Sequence, residues 1–500
     1  MFWMQGRRND VMPLARTRIV ETVTATTMAE LCAARDAATD ADLVELRIDG
    51  VADIDVAAAV RGRRRQVPVI VTCRPEWEGG RFSGDEATRR RLLGQAVDAG
   101  ADYVDVERRA GWVPNVDHAT TRLIVSDHDF ISIPEDLGDR VREMRRLGAD
   151  VVKVAVTAAH ISDVLVLRRM AAAACAGGDL VCIAMGEAGQ LTRLLPERFG
   201  SCWTYGGDAA PGQVAVRHLR DRYRVPATTD HTRIFGVAGA PIAHSASPAM
   251  HNAAYAAAGL DAIYVPVLAA TVDDAVAVAD ALGFEGLSIT APLKTAWHTR
   301  ADVTCDDEAT RRLGVVNTVR RASGRWTAKN LDTAGFLDAL DARGVALVGA
   351  SVLVLGAGGA GRASAWAVAQ RGANVVLCAR RRDAAASVAA ALGVRATAWP
   401  PSGSWDVVVN ATPAGTWPAV NDMPCAWDDL TAQVAYDLVY NPEETAWLQR
   451  ARATGAQVIG GLDMLVGQAA RQFDWWMGRP ADTRVMREAA RVFVGEMTGS

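Results

Sequence analysis

From Arg18 to about Gln213 the chain alternates two patterns. Short β-branched runs (RIVETV, LVELRI, PVIVTCR, DYVDVE, LIVSDHD, VVKVAV, LVCIAM and CWTYGG) are separated by Ala/Arg/Leu-rich stretches of helical character. Eight strands interleaved with helices in about 200 residues predict a small (β/α)8 TIM barrel. The polar, proline-containing stretch YRVPATTDHT, residues 223–232, breaks that rhythm and reads as a linker. RIFGVAGAPIAHS then restarts an α/β pattern. Further on, SVLVLGAGGAGRASAW gives a strand, a glycine-rich turn and a helix, as in a Rossmann nucleotide domain.

Composition narrows the classes. The 500 residues are 50% hydrophobic and 22% charged, an ordinary globular balance that excludes a disordered or fibrous chain. No apolar window is long enough to span a membrane, no signal-peptide core is visible, and a net charge of −4 without a basic face argues against nucleic acid. The eight cysteines stand singly, with no metal-ligand spacing, so no disulfide framework and no metal site are expected and a reducing cytoplasm fits. Only three of the 54 basic residues are lysine: Lys153, Lys294 and Lys329. Lysine can give up its proton and act as nucleophile or acid where arginine cannot, so these three are the first candidates for chemistry.

Lys153 lies among valines in VVKVAV, where an inward amine is desolvated and its pKa is expected to fall. A neutral amine there can attack a ketone and form a Schiff base. His128 ends the preceding strand, placed for acid/base work, and Glu78 in CRPEWEGG is a candidate partner for it. Glu45 and Arg47 share one face of VELRI; Arg74 and Arg193 fall near other strand ends, and Gln213 closes GGDAAPGQ. Several arginines at one barrel mouth fit a substrate carboxylate.

VELRID, TCRPEWEGG, SDHDF, VVKVAV, MGEAGQLTRLL and FGSCWTYGGDAAPGQ, in that order, resemble type I 3-dehydroquinate dehydratase from Ile19 to Gln213. The resemblance implies Lys153 as Schiff-base lysine, His128 as general acid/base with Glu78 as its partner, and Glu45, Arg47, Arg74, Arg193 and Gln213 as substrate-binding residues. One departure is Ala209, where that family usually has serine ahead of APGQ; weaker lid closure is expected.

In the second half, Gly356, Gly358 and Gly361 form a GxGxxG turn with Ala357, Gly359 and Ala360 between them. The next strand ends in Arg380, Arg381 and Arg382 instead of the acid that would hold an NAD ribose, which favours the 2′-phosphate of NADP. Lys294 ends GLSITAPLK and Asp332 lies in NLDTAGF; a lysine held by a carboxylate can protonate an alkoxide formed by hydride transfer. Ser245 and Ser247 could bind a carboxylate or simply cap a helix.

GVAGAPIAHSASPAMHN, SITAPLK, GVVNTV, NLDTAGF, GAGGAGRA, NATPAG, YDLVYNP and GLDMLVGQA resemble shikimate dehydrogenase from Arg233 to about Gly478. The resemblance casts Lys294 and Asp332 as the catalytic pair and Ser245, Ser247, Thr290, Asn317, Tyr440 and Gln468 as substrate-binding residues. It assigns NADP(H) to the glycine turn, Arg380, Arg381 and Thr412. Departures are Ser288 for asparagine, Leu331 for threonine and Ala379 for asparagine; Lys329 has no assigned role.

The expected order is therefore a tail (1–18), dehydratase barrel (19–222), linker (223–232), shikimate-binding domain (233–345, completed by 463–500) and Rossmann NADP-binding domain (346–462). Together the two resemblances imply a bifunctional cytoplasmic enzyme acting on small molecules only: 3-dehydroquinate, 3-dehydroshikimate and shikimate. A catabolic quinate or shikimate dehydrogenase and a non-catalytic metabolite-sensing regulator are the alternatives. Ser247, Thr290 and the arginine run disfavour the first; the retained Lys153, His128, Lys294 and Asp332 disfavour the second.

Overall fold

Residues 16–62, 67–174, 178–207 and 212–498 are described by the structure, a computed structural model, and the chain divides after Thr232 into two units. In the first, the eight predicted runs are all strands: β1 (Arg18–Thr24), β2 (Leu43–Arg47), β3 (Val69–Thr72), β4 (Tyr103–Glu107), β5 (Arg122–Asp129), β6 (Val151–Thr157), β7 (Asp179–Met185) and β8 (Trp203–Gly206). They pair in the order β7-β6-β5-β4-β3-β2-β1-β8, every pair parallel. A parallel bridge between Leu180 and Ser201 draws the two ends of the ladder together, so the expected barrel forms.

Period-two geometry sorts its interior. Val20, Leu43, Ile70, Tyr103, Ile124, Val151, Val181 and Trp203, one from each strand, make a buried apolar ring. Two residues further along the same strands stand Thr22, Glu45, Thr72, Asp105, Ser126, Lys153, Ile183 and Tyr205. Full burial of a large apolar side chain is worth about 1.5–3 kcal/mol, so the first ring supplies stability that the polar ring above it does not. Residues 223–232 lie against this unit: Tyr223 and Val225 are buried, and Arg198 Nη2 donates to the Thr232 carbonyl at 2.9 Å.

The second unit holds two sheets. β9 (Arg233–Gly239), β10 (Ala262–Leu268), β11 (Phe284–Ile289), β12 (Val303–Cys305), β13 (Thr318–Ala322) and β14 (Arg325–Lys329) are arranged β10-β9-β11-β13-β14-β12, with β13 antiparallel to β11 and β14. β15 (Ser351–Leu355), β16 (Asn374–Cys378), β17 (Arg395–Thr397), β18 (Gly403–Asn410), β19 (Leu430–Asp437) and β20 (Gln457–Ile459) are parallel in the doubly wound order β17-β16-β15-β18-β19-β20. The order reverses between β15 and β18, which opens a crevice beyond their carboxyl ends. The two C-terminal helices, Gly461–Met477 and Thr483–Thr498, return to the first sheet, where Phe473, Trp476, Met486 and Phe493 pack with Phe235, Met250 and Tyr255.

Two glycines of the nucleotide turn are dictated by space. Gly356 has φ +108°, and a Cβ on Gly361 would lie 2.0 Å from the Gly356 carbonyl oxygen. A Cβ on Gly358 would meet no atom within 4 Å, so that position faces open space. Gly361→Ala should therefore destabilise the second unit by about 1–3 kcal/mol in thermal or denaturant melts, the usual range for overpacking. Gly358→Ala should leave the melt near that of the unsubstituted chain and weaken nucleotide binding instead.

Two candidate active sites

In the barrel, Lys153 is buried with its Nζ donating to Glu45 Oε1 at 3.0 Å and Asp105 Oδ2 at 3.1 Å, 4.2 Å from the centre of the Tyr205 ring. Here the expectation of a lowered pKa is corrected. Burial does pull the amine down, but the charge of Glu45, then Tyr205 and Asp105, outweighs it, and the ammonium is held above its ordinary range. The sequence of β6 shows a valine on either side of the lysine and no other charged residue. Its actual neighbours come from β2, β4 and β8, across the barrel.

Each anion is itself secured. Glu45 also accepts from Thr22 Oγ1 (2.8 Å) and Thr72 Oγ1 (2.9 Å). Burial works against its ionisation, but Lys153 and the nearby arginines hold it below the usual carboxylate value. Asp105 is likewise held down: Arg74 and Lys153 overcome its burial. Arg74 donates to Asp105 (2.9 Å), Glu107 (2.7 Å) and Ser126 (2.8 Å), and Arg89 of the helix Glu86–Asp98 grips the other oxygen of Glu107.

His128 ends β5. Glu78 Oε1 accepts from its backbone N–H at 3.0 Å and from Nδ1 at 3.1 Å, which leaves Nε2 unengaged by Glu78. Burial, reinforced by Arg74 and Lys153, holds His128 well below the ordinary imidazole value, so it rests neutral and able to take a proton. Burial also pushes Glu78 up to about 8, and its Oε2 has no hydrogen-bond partner among the described residues.

Arg47 is committed bidentately to Asp49, with both contacts at 2.8 Å. Arg193 is different. It is buried and, among the described residues, makes a single hydrogen bond, to the Tyr205 carbonyl at 3.3 Å, while its Nε has no partner; burial lowers it to about 10. A buried guanidinium with so few partners has donors left to offer. Gln213 is described, next to Gly212 at φ +75°, whereas Ala209 lies outside the described residues.

The second unit has a cleft of about 780 Å3. Its lining brings together Ser245, Ser247, Thr290, Lys294, Asn317, Asp332, Tyr440 and Gln468 with Gly358, Gly359 and Ala360 of the glycine turn and Thr412. Lys294 Nζ donates to Asp332 Oδ2 at 2.6 Å, and Asn317 Nδ2 donates to Asp332 Oδ1 at 2.7 Å. A Cβ on Gly359 would sit 3.7 Å from Lys294 Cδ, so the lysine borders the glycine turn. Ser245 Oγ accepts from the N–H of Ser247 (3.3 Å), the first residue of the helix Ser247–Ala257, and lines the cleft; the cap position itself is Ala246, which makes no side-chain cap bond. Tyr440 hydroxyl donates to the His244 carbonyl (3.2 Å) and Gln468 Nε2 to the Leu465 carbonyl (3.0 Å). Thr412 is pinned through Asn410 (2.7 Å) to Asp437, which burial raises to about 6.

Ala357 follows β15 in the same turn, and Arg380, Arg381 and Arg382 are exposed beyond the end of β16, where the helix Arg382–Leu392 begins. Lys329, without an assigned role, sits 4.7 Å from the Trp475 ring centre, a cation–π contact at the end of β14.

Sequence reasoning missed Asp105, Glu107, Ser126 and Tyr205. A signal existed: in DYVDVE the acids fall two and four residues after inward Tyr103, and in CWTY the tyrosine falls two after inward Trp203. Extending strand alternation from the lysine to its neighbouring strands would have found them.

Comparisons agree with this division of labour. Residues 19–230 match Type I 3-dehydroquinase, residues 237–319 the shikimate dehydrogenase substrate binding domain, and residues 461–491 the shikimate 5′-dehydrogenase C-terminal domain. The chloroplastic bifunctional 3-dehydroquinate dehydratase/shikimate dehydrogenase of Arabidopsis thaliana is 33% identical over 482 residues, covering 88% of this chain and 78% of that protein. A shikimate dehydrogenase (NADP(+)) of Symbiobacterium thermophilum is 40% identical over 277 residues, 52% of this chain and 93% of its own length. A shikimate dehydrogenase solved in complex with NADP+ superposes with a TM-score of 0.51 at 30% identity, covering 53% of this chain and 97% of that one. Among the described residues no helix is long and apolar enough to cross a membrane, and no group of three or more metal-binding side chains occurs.

The raised Glu78 has a measurable consequence. Its folded pKa of about 8 stands above the model-compound value of 4.5, so the folded chain holds a proton that the unfolded chain releases between those values. The favourable effect of that proton is present at low pH and is lost as pH rises toward 8. Glu78→Gln, which mimics the protonated form, should melt close to the unsubstituted chain at pH 5 and progressively above it by pH 9. A gap that stays constant or shrinks with pH would contradict this reading.

Proposed function

Because the chain belongs to the bifunctional 3-dehydroquinate dehydratase/shikimate dehydrogenase family, we propose that its barrel works through a Schiff base on Lys153 and its second unit through proton delivery from Lys294. The chain carries out two consecutive steps of the shikimate pathway, dehydration of 3-dehydroquinate and reduction of the resulting 3-dehydroshikimate. The observation that carries the mechanistic reading is the placement of two of only three lysines, each ion-paired to a carboxylate among residues that can hold a small acid.

In the barrel, Arg193 takes the substrate carboxylate with Gln213, while Arg47 and Arg74, which stay paired with Asp49 and with Asp105 and Glu107, add the N–H groups and positive charge those partners leave unused. Lys153, once relieved of its proton, attacks the C3 ketone; water leaves and an iminium forms. That cation draws electrons from C2, where neutral His128 removes a proton through Nε2. The same histidine, now protonated and held by Glu78, returns the proton to the departing C1 hydroxyl, and hydrolysis frees the lysine. Glu45 and Asp105 stabilise the nitrogen whenever it is positive, as ammonium or as iminium.

In the second unit, Ser245 and Ser247 bind the shikimate-type carboxylate, and Thr290, Asn317, Tyr440 and Gln468 bind the ring hydroxyls. The glycine turn fits a dinucleotide: Gly358 faces open space, and Gly356 and Gly361 let the turn close tightly onto β15. NADPH supplies the hydride when bound. Gly356 to Gly361 and Thr412 would hold its pyrophosphate and nicotinamide ends, and exposed Arg380 and Arg381 its 2′-phosphate. Lys294 gives its proton to the nascent alkoxide, and Asp332 steadies the lysine before and after. We read 233–345 with 463–500 as the shikimate-binding body, 346–462 as the NADP-binding body and 19–222 as the dehydratase. The singly placed cysteines support a reducing cytoplasm.

The purified chain given 3-dehydroquinate alone should oxidise NADPH, since that requires both sites. Lys153→Ala should abolish the signal, and added 3-dehydroshikimate should restore it. Lys294→Ala should instead accumulate the enone. Arg380→Ala with Arg381→Ala should raise the KM for NADPH about tenfold or more and leave that for NADH nearly unchanged. Turnover surviving Lys153→Ala, or equal use of quinate and NADH, would overturn the assignment.

A further inference from the structure

The floor of the dehydrogenase cleft carries a continuous run of hydrogen-bonded side chains that ends on Asp332. Tyr264 hydroxyl donates to Ser288 Oγ (2.6 Å), Ser288 Oγ to Gln472 Oε1 (2.7 Å), and Gln472 Nε2 to Thr318 Oγ1 (2.9 Å). Thr318 Oγ1 donates to Asn317 Oδ1 (2.8 Å) and Asn317 Nδ2 to Asp332 Oδ1 (2.7 Å), opposite the oxygen that Lys294 holds. Tyr264, Ser288, Gln472, Thr318, Asn317 and Asp332 are all buried, and they come from five separate stretches of chain: β10, β11, β13 with the residue before it, and the two helices Asp332–Asp341 and Gly461–Met477.

The direction of the run is forced. An ionised carboxylate only accepts, so Asn317 must turn its NH2 toward Asp332. The backbone N–H of Leu331 only donates, and it lies 2.7 Å from Asn317 Oδ1, which fixes the same orientation from the other side. Thr318 must then spend its one proton on Asn317, so the group facing it from Gln472 must be the NH2. Gln472 therefore offers its oxygen to Ser288, and Ser288 donates. Every donor points toward Asp332, and aligned hydrogen bonds of this kind polarise and strengthen one another. The amide links make it a brace, since an amide does not pass protons as a hydroxyl does.

Resting on the assignment of Lys294 as proton donor, we propose that Thr318 and Gln472 are positioning residues for the reduction. Through Asn317 they fix the carboxylate of Asp332, and through it the direction in which Lys294 presents its proton. Ser288, one of the departures from the family pattern, is the link that ties Gln472 to Tyr264. A role in packing alone would be served as well by apolar groups of the same shape; a role in orientation needs the hydroxyl of Thr318 and the amide of Gln472.

The test uses the full chain, assayed with 3-dehydroshikimate and NADPH, with melting temperature and the dehydratase rate of the same preparation as measures of folding. Lys294→Ala serves as the reference; if it still reduces 3-dehydroshikimate at the unsubstituted rate, the underlying assignment falls and this proposal with it. With that reference inactive, Thr318→Val and Gln472→Met should each lower kcat about tenfold or more, with the KM for 3-dehydroshikimate nearly unchanged. Thr318→Ser, which keeps the hydroxyl and loses the methyl, should stay near the unsubstituted kcat. The proposal is overturned if Thr318→Val keeps full kcat, if Thr318→Ser falls as far as Thr318→Val, or if the loss appears in KM alone. Should Thr318→Val fail to fold, Gln472→Met decides by the same criterion.

Discussion

The barrel site depends on one interaction: a lysine ammonium suspended between two carboxylates, Glu45 and Asp105, on a ring directly above an apolar floor. A lone charge there would be intolerable, and removing one member of a buried pair typically costs about 3–5 kcal/mol because the other is left uncompensated. Arg74, Ser126, Thr22 and Thr72 exist in this arrangement to complete the valences of those anions. So a site that looks like catalytic machinery is also a structural keystone. The strands that bring its members together, β1 to β6 and β8, must hold their register for it to exist.

The two lysines show how one residue type is set to two tasks. Lys153 has a side chain only 6% exposed and is fenced by two carboxylates and the face of the Tyr205 ring, which suits a nitrogen that is positive both at rest and as an iminium. Lys294 is 24% exposed, with a single carboxylate partner, at the lip of an open cleft. An acid that reloads its proton after each turnover benefits from that access to water. Lys329, pressed on Trp475, has neither environment, and its contact accounts for it without chemistry.

Much of this was legible because local rules wrote it. Short β-branched runs with helical spacers announce a barrel, the glycine turn between a strand and a helix announces a nucleotide fold, and scarcity marked the lysines. What was not legible lay across the sheet. The pKa of Lys153 rises because residues 48 and 108 positions away in sequence face it, and no reading of VVKVAV alone contains that fact. The hydroxyl and amide brace beneath Asp332 was hidden for the same reason. Gln472 lies one helical turn after Gln468 in sequence, but its partners come from other strands.

The most direct test is the pH dependence of Schiff-base formation, read by trapping the 3-dehydroquinate adduct on Lys153 with borohydride and weighing the intact chain. If Glu45 and Asp105 hold the ammonium above its ordinary range, adduct formation rises with pH, and Glu45→Gln or Asp105→Asn moves that rise to lower pH. A profile that stays where it was in both variants, or that moves to higher pH, would contradict the central role given to these two carboxylates.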